Sequence, residues 1–153
     1  MDDDALKAKI REVIEEYVIT GEKKDFTLEG LAMVQPGLAD VMPDVGVRTW
    51  KLYYAAQAGN WDHAKFQWKE INGLFDKGAF LRAKHANELY QYMEEDWKQL
   101  EAPIKEQDFA KFDEIFQHCI SQANAYHELK DKPYIVWKLP GTPPPDMDFT
   151  PRT

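Results

Sequence analysis

The stretch RTWKLYYAAQAGNWDHAKFQWKEI, residues 48–71, predicts two helices joined by a very short turn. Gly59 is typical of a helix C-terminus, and Asn60 is a residue type that caps the following helix through its side-chain oxygen. Asp62 adds negative charge in the first turn, where the helix dipole stabilises it. Because so short a turn makes consecutive helices antiparallel neighbours, residues 48–71 predict a helical hairpin.

Apolar residues at helical spacing extend this pattern in both directions along the chain. The expected helices cover residues 3–19, 38–58, 60–77, 80–106 and 108–129. The sequence therefore predicts an all-α fold: an up-and-down antiparallel four-helix bundle over residues 37–130, preceded by an N-terminal helix and connector in residues 1–36. The large aromatic residues expected in its core are Trp61, Trp68, Trp97, Phe112 and Phe116.

The C-terminal segment, residues 131–153, differs from the rest because six of the nine prolines lie between positions 133 and 151. Proline lacks a backbone N–H and favours an extended conformation, so this tail is not expected to be helical. Residues 134–139, YIVWKL, are too apolar to remain in solvent. They are expected to lie along the bundle or against a second copy in a homodimer, with Trp137 as the covering residue. Residues 141–153 are expected to be looser.

The net charge of −8 and the scattered positions of Lys and Arg argue against nucleic acid and an anionic membrane as partners. The single cysteine, Cys119, excludes a disulfide framework. The acidic N-terminus lacks the basic start and apolar run of a signal peptide, and no apolar run reaches about 18 residues. A cytoplasmic protein is therefore expected, or a periplasmic one if a signal peptide has been removed.

His127 closes the segment ANAYH, residues 123–127, at the expected end of the last helix. At about 100° per residue, Phe116 and Cys119 fall within the same sector of that helix as His127, which is therefore expected to face inward. Tyr126 lies at the edge of this sector. The alternative is a histidine that is stabilised at the helix C-terminus by the dipole there.

A second group of candidate residues lies on the first bundle helix, where Arg48 is followed by Trp50 and Tyr54. Helical spacing places Arg48 beside the core, where its guanidinium would face a carboxylate or propionate of a ligand in an aromatic pocket. The alternative is an arginine whose aliphatic stem covers apolar surface while its charge reaches solvent.

Residues 48–71 and the segment APIKEQDFAKFDEIFQHCISQANAYH, residues 102–127, resemble two helical passages of the cytochrome c′-like four-helix-bundle family. The resemblance extends over about residues 36–140. It implies the four-helix-bundle fold, and it places His127 at the position of the residue that supplies the axial haem ligand in that family.

The haem-attachment motif of that family, C-x-x-C-H, is altered here, because Ala123 and Tyr126 stand where its two cysteines are found. Cys119 lies one helical turn before the first of these positions and cannot replace either cysteine. Covalently attached haem is therefore not expected. The resemblance leaves His127 as an imidazole that could bind the iron of a non-covalent haem.

Three functions are compatible with these observations. The first is a small-molecule-binding protein with an aromatic pocket near His127 for a flat aromatic or tetrapyrrole ligand. The second is a non-covalent, b-type haem protein with His127 as axial ligand, serving gas binding or electron transfer. The third is an enzyme in which His127 acts as general base, assisted by Tyr126 or Arg48, on an unknown substrate. The residues expected at the ligand site are His127, Tyr126, Arg48, Trp50, Tyr54, Phe116, Cys119 and Trp137.

Overall fold

The computed structural model describes residues 2–17, 20–21, 24–25 and 28–152. Their packing divides the chain into two compact units, residues 1–36 and residues 37–153. In the described residues the fold is all-α apart from one pair of two-residue strands. No helix in these ranges combines the length and the apolar character that crossing a membrane requires.

The N-terminal unit consists of α1, Asp3–Tyr17, the antiparallel strands β1, Thr20–Gly21, and β2, Lys24–Asp25, and α2, Leu28–Met33. Asp2 caps α1, because its Oδ1 accepts hydrogen bonds from the backbone N–H groups of Asp4 and Ala5 at 2.9 and 2.8 Å. These N–H groups have no partner inside the helix, so the cap stabilises its first turn. The first helix was expected over residues 3–19, of which residues 18 and 19 lie outside the described residues.

In its described residues, the second unit contains the helices α3, Leu38–Gln57, α4, Trp61–Leu81, α5, Ala86–Glu95, α6, Glu101–Glu106, and α7, Phe109–Leu129. The Oδ1 atom of Asn60 accepts a hydrogen bond from the backbone N–H of His63 at 3.2 Å and caps α4. Gly59 adopts a φ of 72°, a left-handed conformation that glycine reaches without strain. The predicted turn and cap between the first two long helices are therefore confirmed.

The helix that was expected to be continuous over residues 80–106 is divided in the structure. The preceding helix, α4, continues to Leu81. A 3₁₀ turn at Ala83–His85 separates α4 from α5, and another at Trp97–Leu100 separates α5 from α6. In a 3₁₀ turn, residues i and i+3 lie on the same side. Trp97 and Leu100 are 2% and 0% exposed, so the tighter turn directs both side chains into the core. The second interruption thus lies where two core residues enter the interior.

Contacts between helices of the second unit give the relative direction of two helix pairs. Leu38, at the start of α3, lies against Gly78, near the end of α4, and Arg48 hydrogen-bonds to Gln67. Glu88, near the start of α5, forms an ion pair with Lys130, just after α7, whereas Asp96, just after α5, pairs with His118 in the middle of α7. These contacts show that α3 is antiparallel to α4 and that α5 is antiparallel to α7.

The core lies between α3, α4, α5, α7 and the 3₁₀ turn before α6. Its fully buried large side chains include Leu52, Ile71, Leu100, Phe112 and Phe116. The Phe75 ring meets those of Tyr92 and Trp97 edge-on, with centroids 5.6 and 5.7 Å apart. Edge-to-face contacts of this kind add to the stabilisation from area burial.

Two of the five aromatic residues expected in the core are only partly buried. Trp97, Phe112 and Phe116 are buried as expected, whereas Trp61 and Trp68 lie at the edge of the core. Trp61 occupies the first position of α4, and the indole N–H of Trp68 reaches the carbonyl oxygen of Trp97 at 3.5 Å. A tryptophan buries its ring while its N–H needs a polar partner, which favours such edge positions.

Candidate functional site

The C-terminal tail, residues 131–152, turns back along the helices where α7 ends. Lys132 donates its backbone N–H to the carbonyl oxygen of His127 at 2.9 Å, and Asp131 adopts a φ of 58°. Pro133 then prevents the helix from continuing. The chain therefore reverses direction immediately beyond His127, and the tail meets residues of both α7 and α3.

His127 contacts this tail instead of the core. Its Nδ1 lies 2.8 Å from the carbonyl oxygen of Ile135, and the ring is partly exposed. The expectation that His127 faces inward with Phe116 and Cys119 is therefore corrected, because the imidazole finds its hydrogen-bond partner in the returning tail. A carbonyl oxygen only accepts, so Nδ1 carries the hydrogen, and in the neutral ring Nε2 is unprotonated.

Asn124 joins α7 to the tail through two hydrogen bonds. Its Nδ2 donates to the carbonyl oxygen of Trp137, and its Oδ1 accepts from the N–H of the same residue, each at 2.9 Å. The indole of Trp137 lies directly over Gly46 of α3. Sequence reasoning missed Asn124, although its position three residues before His127 places both on one helix face.

On α3, side chains one turn apart donate hydrogen bonds to backbone carbonyl oxygens of the tail. The Nε1 atom of Trp50 donates to Thr142 at 2.8 Å, and the hydroxyl of Tyr54 donates to Pro140 at 2.9 Å. Prolines lack an N–H, so a proline-rich segment offers mainly acceptors. Donors on α3 therefore match the chemistry of the tail, and the stripe of Gly46, Trp50 and Tyr54 forms its binding face.

The anchors of the tail differ from those expected. Pro144 is fully buried and Phe149 is 8% exposed, although residues 141–153 were expected to be loose. Tyr134 and Val136, expected to be covered, are 75% and 67% exposed. The Phe149 ring is held because it stacks on that of His63, with centroids 5.4 Å apart.

The structure does not bring the whole predicted ligand site together. Arg48 faces α4, where it hydrogen-bonds to Gln67 at 3.2 Å and lies 3.8 Å from Glu70. Phe116 and Cys119 are fully buried in the core. These three residues are therefore not brought to the tail with the others: Arg48 also lies 3.6 Å from the Asp44 carboxylate of its own helix, and Phe116 and Cys119 have core neighbours.

Burial also determines the chemistry of Cys119. Burial, with a smaller contribution from the Asp96 carboxylate, raises the pKa of the Cys119 thiol to about 12. The Sγ atom donates to the backbone oxygen of Asp96 at 3.5 Å. A thiol in this state is protonated at neutral pH and does not act as a nucleophile.

The predicted residues that contact the tail are Trp50, Tyr54 and His127; Asn124 joins them, and Trp137 is part of the tail itself. The Tyr126 ring, which was also expected at the site, packs edge-on against Tyr92 of α5, with centroids 6.0 Å apart, at the edge of the core. In the described part of the chain, no three His, Cys, Asp or Glu side chains are grouped so that they could hold a metal ion.

A surface depression of about 480 Å³ lies farther along the tail, beside the end of α3. Tyr54 and Ala58 of α3 form one side, and Pro143, Met147 and Phe149 of the tail form the other. Because tail residues supply one wall, this depression exists only while the tail is bound.

The contact between Gly46 and Trp137 can be tested with a pair of glycine substitutions. An added Cβ at Gly46 would lie 3.0 Å from Nε1 of Trp137, whereas one at Gly73 of α4 would meet nothing within 4 Å. Alanine should stabilise a helix by about 0.5–1 kcal/mol relative to glycine. Gly73→Ala should show this gain in chemical denaturation, and Gly46→Ala should lose most of it.

NMR provides the second measurement of this pair. The indole Nε1–H signal of Trp137 should shift in Gly46→Ala and stay in place in Gly73→Ala, because only the former displaces the ring. Equal stabilisation by both substitutions, with an unmoved Trp137 signal, would show that the indole does not rest on α3.

No protein-family model matches this chain, and no curated protein and no solved structure matches it either. The fold and the site thus define an all-α protein with a tail-covered helix face. Its likeness to the cytochrome c′ family stays a prediction.

Proposed function

We propose that residues 37–130 form an up-and-down four-helix bundle that binds a small molecule near His127, with the tail as one wall of the site. The antiparallel α3–α4 and α5–α7 pairs support this bundle topology, as does the core between them. A flat aromatic or tetrapyrrole ligand would find apolar contacts in the rings of Trp137 and Trp50, which lie at the tail.

The observation that carries this proposal is the hydrogen bond from Nδ1 of His127 to the carbonyl oxygen of Ile135. It holds the imidazole against the tail and leaves Nε2 without a hydrogen-bond partner among the described residues. A single oriented polar atom beside several aromatic side chains is the arrangement that commonly fixes a ligand in an otherwise apolar site. The polar atom would be Nε2 of His127.

The same hydrogen bond favours a second candidate, non-covalent haem with His127 as the axial ligand. Metal-ligating histidines usually donate their other ring N–H to a carbonyl or carboxylate, which fixes the tautomer and the ring orientation. Ala123 and Tyr126 provide no thiol, so the residues present do not fit covalent attachment. A non-covalent haem would instead be held by the His127 imidazole and by apolar contacts.

The two candidates can be separated with hemin and metal-free protoporphyrin IX as probes. If His127 ligates iron, hemin should give a strong Soret band, and His127→Ala should weaken hemin binding by about tenfold or more, about 1.4 kcal/mol. Protoporphyrin binding should then be unaffected by the substitution. If His127 is only a polar contact in an aromatic site, both probes should bind and both should weaken in His127→Ala.

His118→Ala is the matched control, because His118 lies on the same helix and pairs with Asp96 away from the tail. It should bind both probes as the unsubstituted protein does. Failure of both probes to bind at micromolar concentration would refute a tetrapyrrole site, and equal losses in His118→Ala and His127→Ala would refute the role of His127.

A further inference from the structure

His63, near the start of α4, belongs to a chain of hydrogen bonds that the proposed ligand site does not use. Its Nε2 lies 3.0 Å from Nε2 of Gln67, and Oε1 of Gln67 accepts from Nη1 of Arg48 at 3.2 Å. Gln67 is 3% exposed, so its amide has little access to water. One face of the His63 imidazole stacks on the Phe149 ring, with an interplanar angle of 11°.

The direction of every hydrogen bond in this chain is fixed by its Arg48 end. A guanidinium only donates, so the oxygen of the Gln67 amide must face Arg48 and its NH₂ group must face His63. The Nε2 atom of His63 must then accept. The chain is consistent only with a neutral His63 that carries its hydrogen on Nδ1.

A second proton on His63 would place two donors against each other. Reversing the Gln67 amide would only move the conflict to Arg48, whose Nε is already buried without a hydrogen-bond partner in the described residues. Unsatisfied buried polar groups are costly, so the protonated ring would have to turn away from Gln67 towards water. A ring that swings out of its present plane to reach water loses the parallel stacking on Phe149.

The charged groups around His63 act in the same direction. Lys51 of α3 disfavours the protonated ring, and it is itself paired with Asp146 of the tail at 3.5 Å. The other tail carboxylate nearby, Asp148, is engaged by Arg152 at 2.9 Å and by the N–H of Thr150. Stacking of an imidazolium on a phenyl ring is not itself repulsive, so Gln67 and Lys51 supply the driving force.

We propose that protonation of His63 releases the end of the tail around Phe149 from the helices, so that tail attachment is sensitive to pH. This inference concerns the tail alone and does not depend on which ligand binds near His127. Its basis is that one imidazole is both the acceptor for a buried amide and the surface on which the tail anchor stacks.

The sign of the effect follows from the direction of the pKa shift. Burial, and secondly the charge of Lys51, lower the pKa of His63 below its ordinary value of 6.5. The attached tail therefore favours the neutral ring. Its attachment is complete above about pH 6.5 and weakens as the pH falls through the lower pKa of the folded protein.

NMR on the full chain, titrated from about pH 8 to about pH 5, tests this proposal in the range where histidines change charge. The backbone amides of residues 147–150 should shift with the same midpoint as the His63 imidazole, and the Phe149–His63 ring NOE should be lost at low pH. Asp148 does not interfere, because hydrogen bonds from Thr150 and Arg152 lower its pKa to about 2.

Three variants complete the test. His63→Gln keeps a neutral acceptor and should abolish the shift of the tail amides, whereas His118→Gln, distant from the tail, should leave it intact. Because linkage is reciprocal, Phe149→Ala should raise the pKa of His63 towards 6.5. Tail amides that titrate with a midpoint different from that of His63, or an unchanged His63 pKa in Phe149→Ala, would overturn the proposal.

Discussion

Replacing Phe112 by alanine should lower the free energy of unfolding by about 3–5 kcal/mol, the range measured for large buried aromatic side chains. Phe112 is 0% exposed and lies at the centre of the aromatic core. Its ring stacks on Phe116 with centroids 5.5 Å apart and meets Trp61 edge-on at 6.2 Å. Close-packed neighbours relax only partly, so the substitution leaves a cavity in addition to losing apolar contacts.

Urea denaturation monitored by circular dichroism would measure this loss. Phe80→Ala is the matched control, since Phe80 is also a helical phenylalanine but is 85% exposed. Its unfolding free energy should change by about 0.5 kcal/mol or less, as for most surface substitutions. Similar losses at both positions would mean that Phe112 is not in the core.

Ending the chain at Lys132 should lower the free energy of unfolding by about 3 kcal/mol and the melting temperature by about 6–12 °C. The truncation removes the buried side chains of Pro144 and Phe149 and the partly buried rings and chains of Trp137 and Leu139. It also removes the acceptors of Trp50 and Tyr54. Part of this loss is offset, because the ordered tail no longer costs conformational entropy.

Two tail substitutions test whether particular buried side chains, and not simply the presence of the tail, stabilise the protein. Phe149→Ala should reproduce a large part of the destabilisation, because this ring packs against His63 and Tyr54. Tyr134→Ala should have little effect, because Tyr134 is 75% exposed. Thermal unfolding and size-exclusion chromatography of all three proteins would show whether the tail stabilises its own chain. A truncated protein with an unchanged melting temperature and an unchanged oligomeric state would contradict this role.

Local signals in the sequence were sufficient to predict the helical hairpin of α3 and α4. Gly59 reaches a left-handed conformation that other residues rarely adopt, and Asn60 caps α4 with its own side chain. Both effects act over four residues or fewer, so they depend little on the rest of the molecule. The apolar spacing in residues 109–129 likewise identified the buried face of α7, with Phe112, Phe116 and Cys119 inside.

The spacing of apolar residues was insufficient to predict the helix boundaries between residues 80 and 106. The apolar residues there fit a continuous helix, yet the chain breaks at Arg82 and again after Glu95. The second break directs Trp97 and Leu100 into the same core, and its start at Asp96 is held by a 2.9 Å hydrogen bond to His118 of α7. A partner that lies 22 residues away in sequence is invisible to local pattern.

The candidate site was also predicted only in part from the sequence. The sequence singled out His127, Trp50 and Tyr54, which contact the tail, and Trp137, a tail residue that contacts α7. It also included Arg48, Phe116 and Cys119, because a helical wheel gives a direction around one helix but does not say which element lies in that direction. Arg48 has α4 beside it, and α7 places Phe116 and Cys119 in the core.

By itself, the sequence determined the all-α class, the hairpin at Gly59 and Asn60, and a tail that cannot be helical, since these follow from backbone chemistry and short-range hydrogen bonds. Only the tertiary structure decided which tail residues are anchors. Proline-rich chain has no internal hydrogen bonds and no period of its own, so its register depends on donors and cavities that the helices present. Those donors belong to Trp50, Tyr54 and Asn124, and the space for Phe149 lies beside His63.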